Sequence, residues 1–334
     1  MRVNFLPRRF DGFLTVWIVM QQFALKTLPI LLVGSMTALT AQADPWIESG
    51  IAAASMDVTH LVRQSVDKRA TSVLTTERAD GGAVWLDLTG TDSRSDTVAD
   101  GVGYRNKVAA ANLGADIRHG DAFFGVVYTF AHVDGESRGA ASASEAETQW
   151  FGVHVFGERS FGALALAGQF GWLHSHGQGK GEGGSLAMHS NVYSFDLAAR
   201  LALAVGQTHV VPYVKVENTV IDQRNWRDGY PDRMTVHQFP VGVNVSRTFS
   251  SGEWTIRPEA DAALVRTAGD TEAVRRENGL NRSTRWIDDS TLWRGRLGLT
   301  AQKEHASYGL QYEYQTSSGG RRAHQVQLES QYSF

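Results

Sequence analysis

The sequence predicts an all-β fold: a transmembrane antiparallel β-barrel of about 12 strands with an N-terminal α-helix in its lumen. Three observations support this fold class. Segments longer than a typical globular strand alternate between apolar and polar side chains, and the connections between them alternate between short and long. The last residues, "HQVQLESQYSF", continue the alternation to the end of the chain, with Val326, Leu328, Tyr332 and Phe334 on one parity.

Composition alone does not decide between a soluble and a membrane protein. The 334 residues are 42% hydrophobic and 20% charged, and the mean hydropathy is -0.25. A barrel has such an average because its apolar outer rows and polar inner rows cancel. The net charge of -3 lacks the basic excess of a nucleic-acid-binding protein, so no nucleic-acid partner is expected. The absence of cysteine excludes cysteine catalysis and zinc-thiolate sites.

The N-terminal residues resemble a secretory signal. The stretch "MQQFALKTLPILLVGSMTALTAQA" has a lysine, Lys26, before an apolar run, and ends in the small-x-small order of a cleavage site after Ala43. A transmembrane anchor is the alternative, but Lys26 interrupts the longer apolar run. We therefore expect a signal peptide at residues 1–43, with Met20 as an alternative start, and export of the protein through the inner membrane.

A polar helix is predicted next, within residues 44–80. In "WIESGIAAASMDVTHLVRQSVDKRATSVLTTERAD", Ile51, Val58 and Leu61 recur at helical spacing. A helix of about 25 to 30 residues would be roughly 40 Å long, enough to cross a membrane. Its polarity forbids contact with lipid, so the helix must cross the membrane within a hydrated interior. The charged residues expected on this pore helix are Arg63, Lys68 and Arg69.

From Gly81 to Phe334 the period changes to two, as expected of the strands of a barrel. In "NVYSFDLAARLALAVG", Tyr193, Phe195 and Leu197 alternate with Ser194 and Asp196. Tilted by about 45°, segments of this length can span hydrocarbon. The twelve predicted strands lie near 83–91, 104–118, 121–134, 147–159, 162–175, 190–205, 208–221, 235–249, 253–267, 286–301, 305–316 and 322–334.

The connections between these segments alternate in length. Tight turns are predicted at "HGD", "RSF", "GQ", "SSG" and "KE", which begin at residues 119, 159, 206, 250 and 303. An outer-membrane barrel has this alternation, whereas a soluble sandwich has shorter strands without it. Between the turns, polar loops are predicted at 92–103, 135–146, 176–189, 222–234 and 268–285, with a shorter one at 317–321.

If the apolar parity faces lipid, the other parity lines the lumen with charges of both signs. Such charges must meet water or one another, and the polar helix can act as a plug that pairs with them. Most of them could equally be a solvated wall. The charged residues predicted to line the lumen are Asp116, Arg118, Asp196, Arg200, Lys215, Glu217, Arg257, Glu259, Asp261, Arg294, Arg296, Glu313 and Glu329.

The order of these parts resembles a known family. The junction "VDKRATSVLTTERADGGAVWLDLTGTDSR", the hairpin "NLGADIRHGDAFFGVVYTFAHVDG" and the final "YSF" are similar to the C-terminal translocator domain of autotransporters, the type V secretion proteins of Gram-negative bacteria. The resemblance covers residues from about 50 to 334. It implies a monomeric outer-membrane barrel at 81–334, which moves or anchors an N-terminal passenger, with no cofactor.

The resemblance also implies partners and roles for individual residues. The partners are outer-membrane lipid, periplasmic chaperones, the passenger segment itself and the barrel assembly machinery. That machinery would recognise the terminal strand through Val326, Leu328, Tyr332 and Phe334, while the segment from Ser55 to Thr76 stays threaded in the pore. The sequence departs from the family in two respects: residues 44–80 leave room for only a short passenger remnant, and the Asn-Asn pair of self-cleaving members does not occur.

Two other functions remain open on the sequence alone. A stand-alone channel or surface-binding barrel would have the same strands. An outer-membrane hydrolase would need a nucleophile beside a base, and the candidates His132, Asp134, Ser137, His154 and His189 share no motif. His174 and His176 share a strand face but lack a third metal ligand nearby, so no metal site is expected.

Overall fold

A computed structural model of the chain describes residues 45–75, 80–99, 102–138, 144–181, 184–224, 233–277, 280–285 and 291–334. The predicted signal peptide at 1–43 lies outside these residues. The described residues form one helix and a closed antiparallel β-barrel of 12 strands, which confirms the predicted fold class. Among them, no helix is both long and apolar enough to cross a bilayer.

The helix, α1, spans Pro45–Thr75. Proline at its first position costs no hydrogen bond, because the first N–H groups of a helix have no internal partner. Two of its hydroxyl groups donate hydrogen bonds to carbonyl groups of the preceding turn. Ser55 Oγ donates to Ile51 O at 2.9 Å, and Thr59 Oγ1 donates to Ser55 O at 2.7 Å. A polar helix can therefore be buried without leaving these hydroxyls unpaired.

The twelve barrel strands follow α1 in chain order. The first six are β1 Gly81–Ala99, β2 Val102–His119, β3 Ala122–Arg138, β4 Glu145–Phe161, β5 Leu164–Gly181 and β6 Gly184–Leu201. The second six are β7 Thr208–Arg224, β8 Arg233–Arg247, β9 Trp254–Gly269, β10 Leu292–Lys303, β11 Ala306–Ser317 and β12 Arg321–Ser333.

Four short strands complete the described part of the sheet structure. Leu203–Val205 and Phe249–Ser251 continue β6 and β8 after a one-residue interruption and pair with β7 and β9. Glu272–Glu277 and Leu280–Arg285 form a separate hairpin within the connection between β9 and β10.

Every barrel strand pairs antiparallel with its neighbours in sequence, and β12 pairs with β1 to close the cylinder. The closing ladder runs from Ala83 opposite Ser333 to Ser95 opposite Arg321. We call the end of the barrel that carries the β2–β3, β4–β5, β6–β7, β8–β9 and β10–β11 connections the turn end, and the opposite end the loop end. The last residue, Phe334, lies at the turn end, where its N–H donates to Gly82 O at 2.9 Å.

Side chains alternate across the wall as the pleat requires. On β1, Val84, Leu86 and Leu88 are exposed on the outer face, whereas Trp85 and Asp87 are buried on the inner face. The Trp85 indole occupies the space over Gly114 of β2, where a Cβ would lie 2.1 Å from the ring. Each barrel strand carries exposed large apolar side chains on its outer face, which together we call the apolar belt. The core lies inside the barrel between its wall and α1.

The strands extend well beyond their predicted ends at the loop end. Ser95 pairs with Tyr104 and Ala99 with Val102, so most of the predicted loop at 92–103 is strand. Parts of 135–146 and 176–189 are also paired strand, including residues 177–181 and Gly184 of the glycine-rich "GQGKGEGG". The predicted loop boundaries are wrong for a physical reason. Apolar alternation marks only the part of a strand that lies in lipid, whereas backbone pairing continues into water.

Candidate functional site: the helix in the barrel lumen

Helix α1 runs through the lumen from the loop end to the turn end. Near its start, the Gly50 carbonyl accepts a hydrogen bond from Asn106 Nδ2 at 2.9 Å. At its other end, Thr75 Oγ1 lies 2.8 Å from Arg257 Nη1, and the Val73 carbonyl lies 3.5 Å from Arg118 Nη1. The N-terminal end of α1 therefore lies at the loop end of the lumen, and its C-terminal end lies at the turn end, where β1 begins.

One side of α1 packs against an apolar part of the lumen wall. Val62 and Val66 belong to the same buried cluster as Phe123 and Phe156, whose rings lie 5.4 Å apart on β3 and β4. More residues of helix α1 lie close to β2 and β3 than to any other strand. Burial of these side chains provides a non-directional attraction that holds the helix to one wall.

The remaining sides of α1 pair with charged groups of the wall. Near the loop end, Asp57 contacts Arg321 of β12 and accepts a hydrogen bond from Ser93 Oγ at 2.5 Å. In the middle of the helix, Arg63 binds Asp196 through two nitrogen atoms, with Nε to Oδ2 at 2.8 Å and Nη2 to Oδ1 at 2.6 Å. Such a bidentate pair fixes both position and orientation.

Two further groups anchor the half of α1 near the turn end. Lys68 Nζ lies 2.5 Å from Glu329 Oε2 of β12. The Arg69 guanidinium binds Asp116 of β2, with Nη2 to Oδ1 at 2.7 Å, and donates through Nη1 to Gln331 Oε1 at 2.8 Å. Asp116 also accepts a hydrogen bond from Trp85 Nε1 at 3.1 Å. The first and last barrel strands are thus both tied to the helix.

Helix carboxylates also neutralise wall cations. Asp67 binds Arg200 Nη2 at 2.6 Å and contacts Lys215. Arg200 in turn binds Glu158 of β4 at 2.7 Å. The sequence predicted Arg200 and Lys215 as lumen residues but missed Asp57, Asp67 and Glu158. Glu158 has the inward parity of β4, and that parity is the signal that could have identified it.

The wall across from the apolar cluster carries its own polar network. Glu313 Oε1 lies 2.8 Å from His60 Nε2, and Arg294 Nη1 lies 3.2 Å from His60 Nδ1. On β9, Asp261 accepts a hydrogen bond from the hydroxyl of Tyr213 on β7 at 3.0 Å and lies 3.3 Å from Arg296 on β10.

All thirteen wall residues named from the sequence have the inward parity of their strands. Glu217 is buried on β7 as the Cα partner of Asp196, and Glu259 accepts a hydrogen bond from Gln311 Nε2 at 2.7 Å. The helix and its wall therefore form one mixed-charge contact surface. Glu259, Asp261 and Arg296 interact mainly with side chains of other strands, whereas Glu313 contacts the helix through His60 and Gln64.

The four apolar residues of the terminal strand lie on the opposite, outer face. Val326 is 49% exposed, Leu328 53%, Tyr332 54% and Phe334 71%. They form one row on the outer face, and the polar Ser330, which is also exposed, lies within it. Their side chains therefore face away from the lumen.

The residues considered for hydrolysis do not converge. His154 is buried in the lumen wall of β4 beside Gly171 rather than in a loop. His132 and Asp134 lie on the outer face of β3, with Nε2 and Oδ1 3.2 Å apart. His189 stacks near His174 on the outer face of β6 and β5, at 6.4 Å between ring centroids.

Comparison with known proteins identifies the family. The autotransporter beta-domain family matches residues 84–315. No curated protein sequence matches the chain. Solved structures of similar fold include three autotransporter domains. The transport unit of the autotransporter AIDA-I from Escherichia coli is 16% identical, with a TM-score of 0.68 over 88% of this chain and 100% of that one.

The two other structures are also autotransporter domains. The translocator domain of NalP from Neisseria meningitidis is 14% identical, with a TM-score of 0.58 over 89% of this chain and 100% of that one. The beta domain of the Bordetella autotransporter BrkA is 12% identical, with a TM-score of 0.58 over 76% of this chain and 100% of that one. A barrel closed around a charged helix, together with a family match over more than half of the sequence, shows that the chain belongs to the autotransporter beta-domain family.

Proposed function

We propose that this protein inserts into the outer membrane as a β-barrel and translocates or anchors, at the cell surface, the segment that precedes α1. The observation that carries the proposal is the direction of the helix. Its N-terminal end lies at the loop end beside Asn106, and its C-terminal end lies at the turn end beside Arg257. A segment joined to Pro45 would therefore leave the barrel at the loop end.

Family membership supports an outer-membrane transport barrel, and we propose that the protein has no enzymatic activity of its own. We further propose the domain boundaries 1–43 for a signal peptide, 44–80 for the short passenger remnant with the pore helix, and 81–334 for the barrel. The terminal row of Val326, Leu328, Tyr332 and Phe334 is proposed as the signal read by the barrel assembly machinery, with periplasmic chaperones as earlier partners and a monomer as the final state.

The mixed charge of the lumen supports a two-stage mechanism. While an unfolded segment passes, Asp116, Asp196 and Glu329 can stay hydrated, because water solvates charged groups well and offers no fixed partner. When the helix forms, Arg63, Lys68 and Arg69 reach these carboxylates, and the apolar face of α1 packs on β3 and β4. The lumen is then occupied by a helix that is bound to the barrel wall at several positions along its length.

The orientation of the barrel can be tested directly, because the chain contains no cysteine. Single cysteines would be introduced at Ser318, which is exposed at the loop end, and at Gln207, which is exposed at the turn end. A membrane-impermeant maleimide added to intact cells should label S318C and spare Q207C until the outer membrane is opened. The reverse pattern would contradict the proposed direction of export.

Two further measurements separate a plugged translocator from a stand-alone channel. An epitope fused ahead of Pro45 should become sensitive to protease on intact cells. In planar bilayers, removal of residues 44–78 should convert a closed barrel into a conducting one, since α1 occupies the lumen. If the full chain conducts as well as the shortened chain and the epitope stays inside, the protein is an independent channel.

A further inference from the structure

Three arginines lie side by side on the outer surface of the barrel where it closes. Arg94 of β1 is the Cα partner of Arg322 on β12 and of Arg105 on β2. All three have the outward parity of their strands. We call Arg94, Arg105 and Arg322 the arginine row. Directly opposed like charges destabilise a sheet, so this row has an energetic cost unless an anion compensates for it.

Only one of the three arginines is compensated within the described residues. Arg105 Nε donates to Asp92 Oδ1 at 2.8 Å, its Nη2 contacts Asp92 Oδ2, and its Nη1 lies 3.5 Å from Glu136 Oε1. Both carboxylate oxygens of Asp92 are therefore committed to Arg105. Arg94 and Arg322 form no ion pair with any described residue.

The arginine row stands just above the apolar belt. Descending the outer face from Arg94, β1 presents Asp92, Gly90 and then Leu88, while β12 presents His324, Val326 and Leu328 beside them. Four residues of a strand cover about 13 Å, which corresponds to roughly 10 Å along the membrane normal at the tilt of a barrel strand. The headgroup layer begins at this boundary, and long arginine side chains can reach back toward it.

The surroundings of the row also suit a membrane interface. The Tyr312 hydroxyl lies 2.8 Å from His324 Nδ1, and the Tyr314 ring lies 4.9 Å from the His324 ring. Tyrosines are typical of the zone between hydrocarbon and water. Other charged groups on this face include Lys107 and Glu136. Asp96 lies 3.9 Å from Arg138, and His132 lies 3.2 Å from Asp134.

We propose that Arg94 and Arg322 bind the phosphate of a phosphorylated lipid headgroup in the outer leaflet, with Lys107 and Arg105 at the edge of the site. Two adjacent guanidinium forks match the geometry of a phosphate, and the position above the belt places them where such a headgroup lies. The leaflet depends on the orientation given under the proposed function, whereas the binding itself does not.

The test uses the full chain purified in detergent and titrated with diphosphoryl lipid A, with bound lipid counted by native mass spectrometry. The double variant R94Q/R322Q should bind about tenfold more weakly or worse, as expected for loss of charged hydrogen bonds. The matched control is R159Q/R247Q. These two arginines are exposed near the turn end, far from the arginine row, and lie over Phe161 and Phe249. Because two arginines are replaced in each double variant, the change in charge is the same. Its affinity should equal that of the wild type.

Two comparison ligands identify the source of the phosphate. Lipid A stripped of both phosphates should bind the wild type as weakly as diphosphoryl lipid A binds R94Q/R322Q. Inorganic phosphate at the same concentration should not compete, because it lacks the acyl chains that hold a headgroup against the belt. Equal loss in R159Q/R247Q, or undiminished binding of the stripped lipid, would overturn the proposal.

The result can be read independently of the proposed function. If S318C is labelled on intact cells but R94Q/R322Q binds lipid like the wild type, the lipid site is wrong and the translocator proposal stands. If the lipid site is confirmed in detergent but Q207C is labelled instead, the site is real and the proposed direction of export is wrong.

Discussion

Lys68 Nζ of the pore helix lies 2.5 Å from Glu329 Oε2 of β12, so the helix is ion-paired to the strand that closes the barrel. Glu329 is also the Cα partner of Asp87 on β1. The ammonium group therefore sits beside two carboxylates of neighbouring strands, at the seam between the first and last strands of the sheet.

Substitution K68M should destabilise the barrel by about 3 kcal/mol, because it leaves the buried Asp87 and the partly buried Glu329 facing each other without a cation. The control is K303M, whose ion pair with Glu253 is largely exposed at the turn end and should contribute less than about 1 kcal/mol. Unfolding of both variants in guanidinium chloride, followed by gel mobility in detergent, measures the difference. Equal losses would show that the lumen pair contributes no more than an exposed one.

Gly114 provides a second prediction, because its missing side chain makes room for Trp85. A Cβ at this position would lie 2.1 Å from the indole, which is buried and donates a hydrogen bond to Asp116. Substitution G114A should therefore cost about 1–3 kcal/mol by overpacking. G90A is the control on the adjacent strand, since a Cβ at Gly90 would have no atom within 4 Å. An unchanged G114A barrel would mean that Trp85 can shift without loss.

The two-residue turns at the turn end show what the sequence could and could not predict. Four of them place glycine in the left-handed region, with φ of 56° at Gly120, 65° at Gly162, and 61° at both Gly206 and Gly252. These glycines fall at or beside the predicted turns. The fifth turn uses Glu304, with φ of 50°, and its position was predicted from polarity and spacing rather than from a residue suited to that conformation.

Glu304 should thus store backbone strain. Substitution E304G should stabilise the barrel by about 0.5–1 kcal/mol, the cost of a left-handed non-glycine residue less the greater freedom of glycine in the unfolded chain. Substitution G206A should destabilise it by about 1 kcal/mol, because φ is 61° there and no neighbour would clash with the new methyl. Reversible unfolding in detergent measures both, and a loss of stability in E304G would contradict the strain.

The strand faces were predictable because a period of two assigns each side chain to lipid or lumen. The pairs of side chains that meet across the lumen could not be predicted in this way. Arg63 and Asp196 are 133 positions apart, and their contact depends on which height of the helix meets which strand. The juxtaposition of Arg94 and Arg322 likewise depends on barrel closure and register, which the pattern of a single strand does not contain.

The extent of the strands at the loop end was also beyond the sequence pattern. Outside lipid, both faces of a hairpin can be polar, so alternation ceases while backbone pairing continues. Residues such as Ser95 and Tyr104 therefore resemble a loop in composition and form a ladder in the structure. The alternation of apolar and polar residues reports contact with the membrane. It therefore predicts strand pairing only for the part of a strand that lies in the membrane.

The terminal phenylalanine offers a test that separates recognition from stability. Phe334 exchanges backbone hydrogen bonds of 2.9 and 3.0 Å with Gly82, while its ring is 71% exposed on the outer face. Substitution F334S keeps the backbone bonds, so refolding in detergent should stay within about 0.5 kcal/mol of the wild type. If the ring is part of an insertion signal, however, the amount of folded barrel in cells should fall several-fold. S330A, on the same outer row, should change neither quantity. Parallel loss in cells and in detergent would show that the ring stabilises the barrel instead of directing its insertion.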